Sequence, residues 1–295
     1  MPPDLTVLFI TYNSADQLAT ALASLRRSEP GGRVEVLAVD NASRDRSQLI
    51  EVCRAHKVRL LVLSRNVGIG AAANRGFRHA RGRYVAVANP DLMFTAGAAS
   101  SLVRFMDERA EAGVVAPQFV YADGRTQPSA RRFPKLRYVL AGRRSPLARI
   151  SPRLAPSAEF LYAGIERNSG PVEVEAVIGA FMVFRREAFE QAGSFDERYF
   201  MYAEDTDICR RIGHTWKIFL LPSARVIHFV GQTRRHFLYV SEFHRLRSHR
   251  LFFTDGVRGL RAAAMNTLFV FYLAWQQAVC LVGMNEFEYS WARRR

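Results

Sequence analysis

The chain has 295 residues, 49% of them hydrophobic and 23% charged, a globular composition that excludes a disordered or fibrous protein. This length allows one large domain or two modest ones. The net charge of +15, carried almost entirely by arginine, predicts an anionic partner such as a nucleotide, a nucleic acid or an acidic membrane surface.

The cysteines and the N-terminus indicate a reducing compartment. Cys53, Cys209 and Cys280 are odd in number and form no CxxC pair, which argues against a disulfide framework or a structural zinc site. The first apolar run, Leu5–Ile10, is too short for the core of a signal peptide. We therefore expect a cytoplasmic protein.

The first part of the chain alternates between two patterns. Short apolar runs rich in β-branched residues predict strands at Leu5–Ile10, Val34–Val39, Val58–Leu63 and Tyr84–Ala88. Stretches with helical spacing lie between and after them, at Ala15–Arg27, Arg44–His56, Ala71–Ala80 and Ala96–Ala112. The alternation predicts βαβ units, and therefore an α/β fold in which helices cover both faces of a mostly parallel sheet.

Polar, turn-forming residues follow each predicted strand. They are Thr11-Tyr12-Asn13, Asp40-Asn41, Arg65-Asn66-Val67-Gly68 and Asn89-Pro90-Asp91. Helix capping or turn formation explains any one of these groups equally well. Together, at the carboxyl ends of strands in one parallel sheet, they favour a ligand site, because ligands of such sheets bind at that edge.

One glycine-rich turn invites a different interpretation. Gly68-Ile69-Gly70-Ala71-Ala72-Ala73 fits the G-x-G-x-x-A pattern of dinucleotide-binding proteins. It follows the third predicted strand, however, whereas a dinucleotide-binding domain carries this pattern after the first. The turn therefore favours phosphate binding or close packing at a helix N-terminus over a dehydrogenase.

The pattern breaks between Gly124 and Ala158, a stretch without acidic residues. Its basic residues include Arg131, Arg132, Lys135, Arg137, Arg143, Arg144, Arg149 and Arg153, and its prolines are Pro128, Pro134, Pro146, Pro152 and Pro156. This proline density excludes a long helix or a central strand. We predict a mobile basic loop over about residues 124–170, with a short helix near Tyr138–Ala141, although a solvated linker explains the composition equally well.

Regular structure resumes after this loop. Strands are predicted at Val172–Ile178, Phe181–Arg185, Trp216–Leu221 and Ala224–Phe229, and helices at Arg186–Ala192 and Glu204–Ile212. Beyond Phe237 the pattern is helical to the end of the sequence.

Acidic residues and one histidine are candidates for chemistry. Asp91 follows the fourth strand, and a Mg²⁺ or Mn²⁺ ion on substrate phosphates takes one or two protein carboxylates. Glu204, Asp205 and Asp207 open a helix after an aromatic run. Capping explains one acidic residue there, but this density favours a general base. His228, at a strand end, is by itself more typical of a structural histidine.

These groups also occur in a recognisable order. Thr11-Tyr12-Asn13, Val39-Asp40-Asn41-Ala42-Ser43, Arg65-Asn66-Val67-Gly68 with Asn74, and Asn89-Pro90-Asp91 are followed by Gly179-Ala180-Phe181-Met182, Phe195-Asp196-Glu197 and Phe200-Met201-Tyr202-Ala203-Glu204-Asp205-Thr206-Asp207-Ile208-Cys209-Arg210-Arg211. Over about residues 4–232 this set resembles the family-2 inverting glycosyltransferases of the GT-A fold. Within them it most resembles the bacterial rhamnosyltransferase-like group that builds cell-wall and surface polysaccharides. The block ending in Glu204-Asp205 is the most specific part.

The resemblance implies a nucleotide site and a metal site. Thr11, Tyr12 and Asp40 would hold the pyrimidine base, with Asp40 accepting the N3 hydrogen. The other residues implied for the nucleotide pocket are Asn66, Gly68, Asn74, Asn89 and Asp91. Asp91 matches the last position of the family's D-x-D motif and His228 the histidine that completes the metal site in many members, so Mg²⁺ or Mn²⁺ is expected. Asn89 stands at the first position of that motif without a charge, which would lower the metal affinity.

The resemblance also implies the reaction. Asp205 matches the catalytic base, which takes the proton of the acceptor hydroxyl as its oxygen attacks the anomeric carbon and inverts the configuration. Gly179, Ala180 and Glu204 would lie near the sugars. The expected donor is dTDP-L-rhamnose, with a UDP-sugar as the alternative, and the expected acceptor is a glycan or a polyprenyl-diphosphate-linked sugar. The Q-x-x-R-W signature of processive members is missing from the sequence, which favours transfer of a single sugar.

The C-terminal part resembles a membrane-surface or partner-binding segment. Ala263–Met284 contains no charged residue, but polar residues interrupt one side of it: Asn266, Thr267, Gln276 and Gln277. We predict an amphipathic helix that lies in a membrane interface rather than one that spans it. Upstream, Arg234–Arg261 holds seven arginines, which anionic lipids attract. The protein is therefore expected on the inner face of the plasma membrane, with burial in this chain or in a homodimer as the alternative.

These features divide the chain into a GT-A catalytic domain of residues 1–232 and a C-terminal helical segment of residues 233–295.

Two other classes of protein are alternatives to a glycosyltransferase. A nucleic-acid-binding protein would explain the charge, but the basic residues are not interleaved with aromatic ones and form no nucleic-acid motif. A nucleotidyltransferase would share the architecture, but its glycine-rich phosphate loop would follow the first strand, where Thr11-Tyr12-Asn13 stands.

Overall fold

The computed structural model describes residues 3–29, 31, 33–136, 138, 157–162, 164–168, 170–229 and 238–281. The chain divides into two compact units. The first comprises Met1–Glu197 and Asp205–Val230, and the second comprises Arg198–Glu204 and Gly231–Arg295.

The first unit alternates strands and helices. Its strands are β1 (Leu5–Thr11), β2 (Val34–Asp40), β3 (Arg59–Val62), β4 (Tyr84–Ala88), β5 (Leu92–Phe94), β6 (Ala112–Val120), β7 (Ala130–Arg131), β8 (Val172–Glu173), β9 (Ala176–Val177), β10 (Phe181–Arg185) and β11 (Lys217–His228). Its helices are α1 (Ala15–Ser28), α2 (Arg46–Ala55), α3 (Ile69–Phe77), α4 (Ala98–Glu108), α5 (Ser157–Phe160), α6 (Arg186–Gln191) and α7 (Glu204–Ile212), with Glu204 itself in the second unit.

A mixed sheet forms the centre of this unit. Its strands follow the order β3-β2-β1-β4-β10-β6-β11-β5, and β8 also pairs with β11, while β7 and β9 form a separate two-stranded sheet. Strands β1 to β4 are mutually parallel, as are β6 and β11. Strand β10 is antiparallel to β4 and β6, and β5 and β8 are antiparallel to β11. The α/β class is confirmed, and the parallel half carries the polar strand ends.

Hydrophobic side chains cover both faces of this sheet, as strands without polar alternation require. On β1, Leu5, Val7 and Phe9 join one buried cluster, whereas Leu8 and Ile10 join the other. The helices complete the two layers: Leu22, Leu49 and Leu102 of α1, α2 and α4 pack on the first face, and Phe77, Phe189 and Ile208 of α3, α6 and α7 pack on the second.

Several strands differ from the prediction. The sequence does not predict β5, which has only 3 residues, or β6, which contains Gly113 and Pro117. The two strands predicted at Trp216–Leu221 and Ala224–Phe229 are one strand, β11, whose register against β6 shifts between Leu221 and Arg225. Pro222 lies at this shift and has no N–H to give to the ladder. The strand predicted at Val172–Ile178 is two, since β8 pairs with β11 and β9 with β7.

Part of the predicted basic loop makes specific contacts. Strand β7 pairs antiparallel with β9. Arg132 Nη1 lies 3.0 Å from Glu175 Oε1, and its guanidinium lies over the ring of Tyr162. Most of the helix predicted near Tyr138–Ala141 falls outside the described residues. So do these members of the basic, proline-rich set: Arg137, Arg143, Arg144, Arg149, Arg153, Pro146, Pro152 and Pro156.

The second unit contains a pair of helices, α8 (Leu238–Thr254) and α9 (Gly259–Leu281). Phe269 of α9 is buried, and its ring centroid lies 5.6 Å from that of Phe253 in α8. The segment Arg198–Glu204 joins this unit, where Ser248 Oγ donates to the Met201 carbonyl oxygen at 2.8 Å. In the part of the chain that is described, every helix is too short or too polar to cross a bilayer.

Candidate active site

The polar strand ends meet at one edge of the sheet, because β1 lies between β2 and β4 and all three are parallel. Thr11 lies directly opposite Asp40 in the β1–β2 register. The turn from Asn89 to Asp91 follows β4, and the Asn89 N–H donates to the Ala180 carbonyl oxygen at 2.8 Å. Ala180 thereby ties the end of β4 to the start of β10.

Asp40 is fully buried, and both carboxylate oxygens have partners. The Ser43 N–H donates to Oδ1 at 2.8 Å, and Arg46 Nε donates to Oδ2 at 3.0 Å. The turn that returns Ser43 to Asp40 requires a φ of 67° at Ala42, a strained conformation for alanine. Such strain concentrates at functional sites. The local fold thus aims a carboxylate at the sheet edge and keeps an arginine beside it.

Thr11 and Tyr12 occupy different environments at the end of β1. Thr11 is buried, and its hydroxyl donates to the Val39 carbonyl oxygen at 3.1 Å, which joins β1 to β2. Tyr12 is 40% exposed, so its ring is accessible to a base. Of these two predicted base contacts, Tyr12 is the one with an accessible side chain.

An amide network centred on Asn41 positions Asn66 and Gly68. Asn41 Nδ2 donates to Asn66 Oδ1 at 2.9 Å and to the Gly68 carbonyl oxygen at 3.3 Å. Asn41 Oδ1 accepts from the Val67 N–H at 2.9 Å. Gly68 precedes α3 with a φ of 89°, a conformation that glycine adopts without steric cost. The network therefore fixes the shape of the turn next to Asp40.

Asn74 lies on α3 and is engaged by the chain itself. Its Nδ2 donates to the Phe195 carbonyl oxygen at 2.9 Å, and its Oδ1 accepts from the Phe195 N–H at 3.0 Å. Nδ2 also lies 3.2 Å from Glu197 Oε1. These bonds clamp residues 195–197 to α3, and a contact between Asn74 and a nucleotide stays a prediction.

Asp91 and His228 form a partly buried pair, with 21% and 12% of their side chains exposed. Asp91 Oδ1 lies 3.6 Å from His228 Nε2. They meet because β5 pairs with β11, so that His228 is in register with Leu92. Burial raises the pKa of Asp91 and lowers the pKa of His228, although the charge of each partner opposes the shift of the other. Burial thus favours a neutral imidazole.

Gln127 determines which nitrogen of His228 carries the proton. Gln127 Nε2 donates to the carbonyl oxygens of His228 at 2.7 Å and Val120 at 3.1 Å, which fixes the orientation of the amide. Its Oε1 therefore faces His228 Nδ1, at 3.2 Å. A neutral imidazole in this place is protonated at Nδ1 and directs the lone pair of Nε2 toward Asp91.

A divalent cation fits between Asp91 and His228. The buried Oδ1 of Asp91 accepts no hydrogen bond, and it faces an imidazole nitrogen that also presents a lone pair. A carboxylate oxygen suits Mg²⁺ and Mn²⁺, and a neutral imidazole adds a nitrogen ligand. The described residues hold no group of three or more histidine, cysteine or acidic side chains suited to a metal. Substrate phosphate oxygens and water would therefore complete the coordination.

Asp205 lies at the start of α7, and its carboxylate accepts four hydrogen bonds. Oδ1 accepts from the Thr206 N–H at 2.7 Å and from the Thr206 hydroxyl at 3.1 Å. Oδ2 accepts from the Gly179 N–H at 2.9 Å and from Arg131 Nη2. A Cβ at residue 179 would lie 3.0 Å from Asp205 Cβ, so glycine is what permits this approach.

The other acidic residues at the start of α7 differ from Asp205. Glu204 is 8% exposed and belongs to the second unit. Asp207 is paired with two arginines of its own helix, Arg210 at 2.9 Å and Arg211 at 2.8 Å. Asp207 therefore stabilises α7. Its two ion pairs explain its presence in the acidic cluster without a catalytic role.

Sequence reasoning missed three side chains of this region. Arg46 holds Asp40, Gln127 holds His228, and Arg131 holds Asp205. No motif or spacing identifies these partners, since Gln127 and Arg131 are 101 and 74 residues away from theirs in the chain. In the sequence, Arg131 stands out only as one of the basic residues of the 124–170 loop, and charge alone identifies no partner for it.

Comparisons with known proteins identify the family of this chain. The model for Glycosyl transferase family 2 matches residues 6–193. The chain is 34% identical over 236 residues, 76% of its own length and 75% of the relative's, to the N-acetylglucosaminyl-diphospho-decaprenol L-rhamnosyltransferase of Mycobacterium tuberculosis strain H37Rv. The Escherichia coli K12 rhamnosyltransferase WbbL is 30% identical over 94 residues, 29% of this chain and 36% of the relative.

Solved structures share the fold at lower identity. The mannosyltransferase PcManGT from Pyrobaculum calidifontis, solved with GDP-Man and Mn²⁺, gives a TM-score of 0.59 at 18% identity and covers 96% of this chain and 74% of that one. S. aureus TarS 1–349 with UDP gives a TM-score of 0.53 at 18% identity, covering 92% and 70%. These likenesses confirm the GT-A architecture. With a family match over most of its length, the chain belongs to glycosyltransferase family 2.

Proposed function

We propose that this glycosyltransferase transfers L-rhamnose from dTDP-L-rhamnose to a hydroxyl of N-acetylglucosamine carried on a polyprenyl diphosphate. The proposal depends on one observation, the similarity of this chain to the Mycobacterium tuberculosis rhamnosyltransferase, which is 34% identical over 76% of this chain. Its name specifies that sugar and that class of acceptor. The catalytic machinery is assigned to residues 1–232 and membrane attachment to residues 233–295.

The proposed reaction is a single displacement with Asp205 as the general base. Its carboxylate takes the proton of the acceptor hydroxyl while the hydroxyl oxygen attacks the anomeric carbon from the face opposite the leaving group. The C–O bond to the nucleoside diphosphate breaks as the new glycosidic bond forms, so the configuration inverts. Gly179 and Ala180, beside Asp205 and the β4 turn, would border the sugars.

Asp91 and His228 would hold the divalent metal. Asn89, two positions before Asp91 in the same turn, would lie in the nucleotide pocket. A bound metal would supply positive charge to offset the charge that develops on the departing diphosphate. The unpartnered Oδ1 of Asp91 and the lone pair that Gln127 imposes on His228 Nε2 support this assignment.

Asp40, Tyr12 and the Asn66–Gly68 turn would receive the base. Uracil and thymine both carry an N3 hydrogen, which the Asp40 carboxylate would accept. Glu204, which precedes Asp205 in the chain, would lie near the sugars. The carboxylate does not distinguish the two bases, so a UDP-sugar is the alternative donor.

Calorimetric titration with dTDP and with UDP, each with and without Mn²⁺, tests the donor site. We expect metal-dependent binding that favours dTDP. Cytosine has no N3 hydrogen, so CDP is the matched control and should bind more weakly than either. A preference for UDP would replace rhamnose by another sugar, and failure of the folded protein to bind dTDP or UDP would refute the donor site.

We further propose that the second unit binds an anionic membrane surface. Leu260, Phe271 and Trp275 of α9 are exposed by 90, 72 and 45%, and together with Thr267 they recur at helical spacing on one side. Two exposed arginines stand at its N-terminal end, Arg258 directly before the helix and Arg261 in its first turn. Apolar side chains beside arginines are typical of helices that lie in a membrane interface.

Co-sedimentation with vesicles tests the membrane proposal. The variant Arg258→Gln/Arg261→Gln should bind phosphatidylglycerol vesicles roughly thirtyfold more weakly, because each of the two arginines near an anionic surface contributes about 1 kcal/mol. The control variant Arg54→Gln/Arg78→Gln removes the same charge from exposed positions of the first unit and should bind like the wild type. Equal losses in both variants, or none in either, would contradict a site on α9.

A further inference from the structure

The carboxylate of Asp205 has no capacity left for an acceptor hydroxyl. A carboxylate offers about four lone-pair sites. Here Thr206 supplies two donors to Oδ1, and Gly179 and Arg131 supply one each to Oδ2. A substrate hydroxyl can therefore bond to this base only after one of the four donors has left.

Arg131 is the donor that can leave. The bonds to Oδ1 are buried, and Thr206 is only 2% exposed, so that oxygen faces the interior. The two bonds to Oδ2 are only partly buried, and the one from Gly179 comes from a backbone N–H, which cannot swing away. The Arg131 side chain is 24% exposed and rotates about several single bonds. Its departure would open Oδ2 on the accessible side.

Arg131 is also placed to meet a diphosphate. Gln127 contacts His228, which faces Asp91, and Arg131 contacts Asp205. The segment from Gln127 to Arg131 therefore connects the Asp91–His228 pair to the proposed base. At about 3.3 Å per residue, four residues of extended chain span at most ~13 Å. A sugar diphosphate bridging metal and base would occupy that interval. Moreover, Arg131 Nε is buried and has no hydrogen-bond partner in the described part of the chain.

We propose that Arg131 is a positioning residue that moves from Asp205 to the diphosphate of the bound nucleotide. The inference rests on the proposed function, because it takes Asp205 as the base and the diphosphate as the ligand. Before nucleotide binds, the guanidinium occupies Oδ2 and blocks the base. When the diphosphate arrives, its charge draws Arg131 away, and Oδ2 becomes open to the acceptor hydroxyl.

A double-mutant cycle on nucleotide affinity tests this exchange without an acceptor. Calorimetry with dTDP or UDP, whichever binds the wild type more tightly, is performed on Arg131→Gln, Asp205→Asn and the double variant. Arg131→Gln should weaken binding by about tenfold, because a charged contact to the diphosphate is lost. Asp205→Asn should tighten binding by about three- to tenfold, because the competing ion pair is gone. In the Arg131→Gln background, Asp205→Asn should have no effect.

Two further variants separate the exchange from general effects of charge. Arg131→Lys keeps the positive charge and should recover most of the lost affinity. Arg132→Gln removes the neighbouring arginine, which pairs with Glu175 and not with Asp205, and should bind within about twofold of the wild type.

The outcomes distinguish the inference from the proposed function. If the wild type binds the nucleotide but the effects of Arg131→Gln and Asp205→Asn on affinity are additive, the exchange is overturned and the donor site stands. The same conclusion follows if Arg131→Gln leaves the affinity unchanged. Failure of the folded wild type to bind either nucleotide would overturn both.

Discussion

Asp205→Asn is expected to lower kcat for rhamnosyl transfer by about 10²–10⁴-fold, the usual contribution of a general base. Asparagine has nearly the same shape, and its amide oxygen can still accept a hydrogen bond from the Gly179 N–H. It carries no charge to hold Arg131 in an ion pair, and it cannot take a proton. The measurement is the rate of product formation from dTDP-L-rhamnose and a soluble N-acetylglucosaminyl-diphospho-lipid. Nucleotide binding should persist and become tighter, as the exchange of Arg131 requires.

Asp207→Asn is the matched control for this substitution. Asp207 lies two positions along the same helix, but its partners are Arg210 and Arg211. The substitution should lower the melting temperature while the folded protein keeps its kcat. Wild-type turnover in Asp205→Asn, or an equal loss of turnover in Asp207→Asn, would remove Asp205 as the base.

Asp91→Asn is expected to abolish the metal-dependent part of nucleotide binding and to lower kcat by at least about 10²-fold. The reason is that a neutral amide is a much weaker ligand for a hard divalent cation than a carboxylate, and the metal contributes several kcal/mol of charge stabilisation on the leaving group. Calorimetry with dTDP at increasing Mn²⁺ measures the first effect, and initial rates at saturating donor measure the second.

The control for Asp91→Asn is Asp123→Asn, which removes a carboxylate from an exposed turn where it pairs with Arg125. It should leave Mn²⁺ dependence and turnover unchanged. If Asp91→Asn retained the Mn²⁺ dependence of the wild type, the metal would lie elsewhere, and the pairing of Asp91 with His228 would be structural.

The parallel half of the sheet follows from local sequence pattern. Continuous apolar runs and amphipathic helices predict β1 to β4 and α1 to α4 within a few residues, because burial on both faces leaves a signal in each segment by itself. The sequence does not predict strand β6, because Gly113 and Pro117 interrupt its run of apolar, β-branched residues. Gly113 is required by packing, as a Cβ there would lie 2.6 Å from Trp216 Cβ.

Family resemblance supplied the candidate base and metal ligands, but it could not supply their partners. Motifs record residues that touch substrate, and these recur in fixed order along the chain. Arg46, Gln127 and Arg131 act on those residues through side-chain contacts whose sequence separations follow no rule. Their identification needs coordinates.

The sequence also does not predict which face of the C-terminal helix α9 is exposed. The sequence predicts a helix with a polar side that includes Asn266 and Thr267. In the structure Asn266 is half-buried, and Leu260, Phe271 and Trp275 are exposed with Thr267. Helical periodicity identifies two faces, but it does not decide which of them packs on α8.

The sequence by itself determined the fold class, the enzyme family and the order of the candidate site residues, because each depends on short segments whose composition carries the information. The tertiary structure alone decided the protonated nitrogen of His228, the occupation of both oxygens of Asp205 and the face of α9 that remains exposed. Each of these depends on which side chains come within hydrogen-bonding or packing distance after the chain has folded. That proximity is set by the sheet order and register, which no single segment encodes.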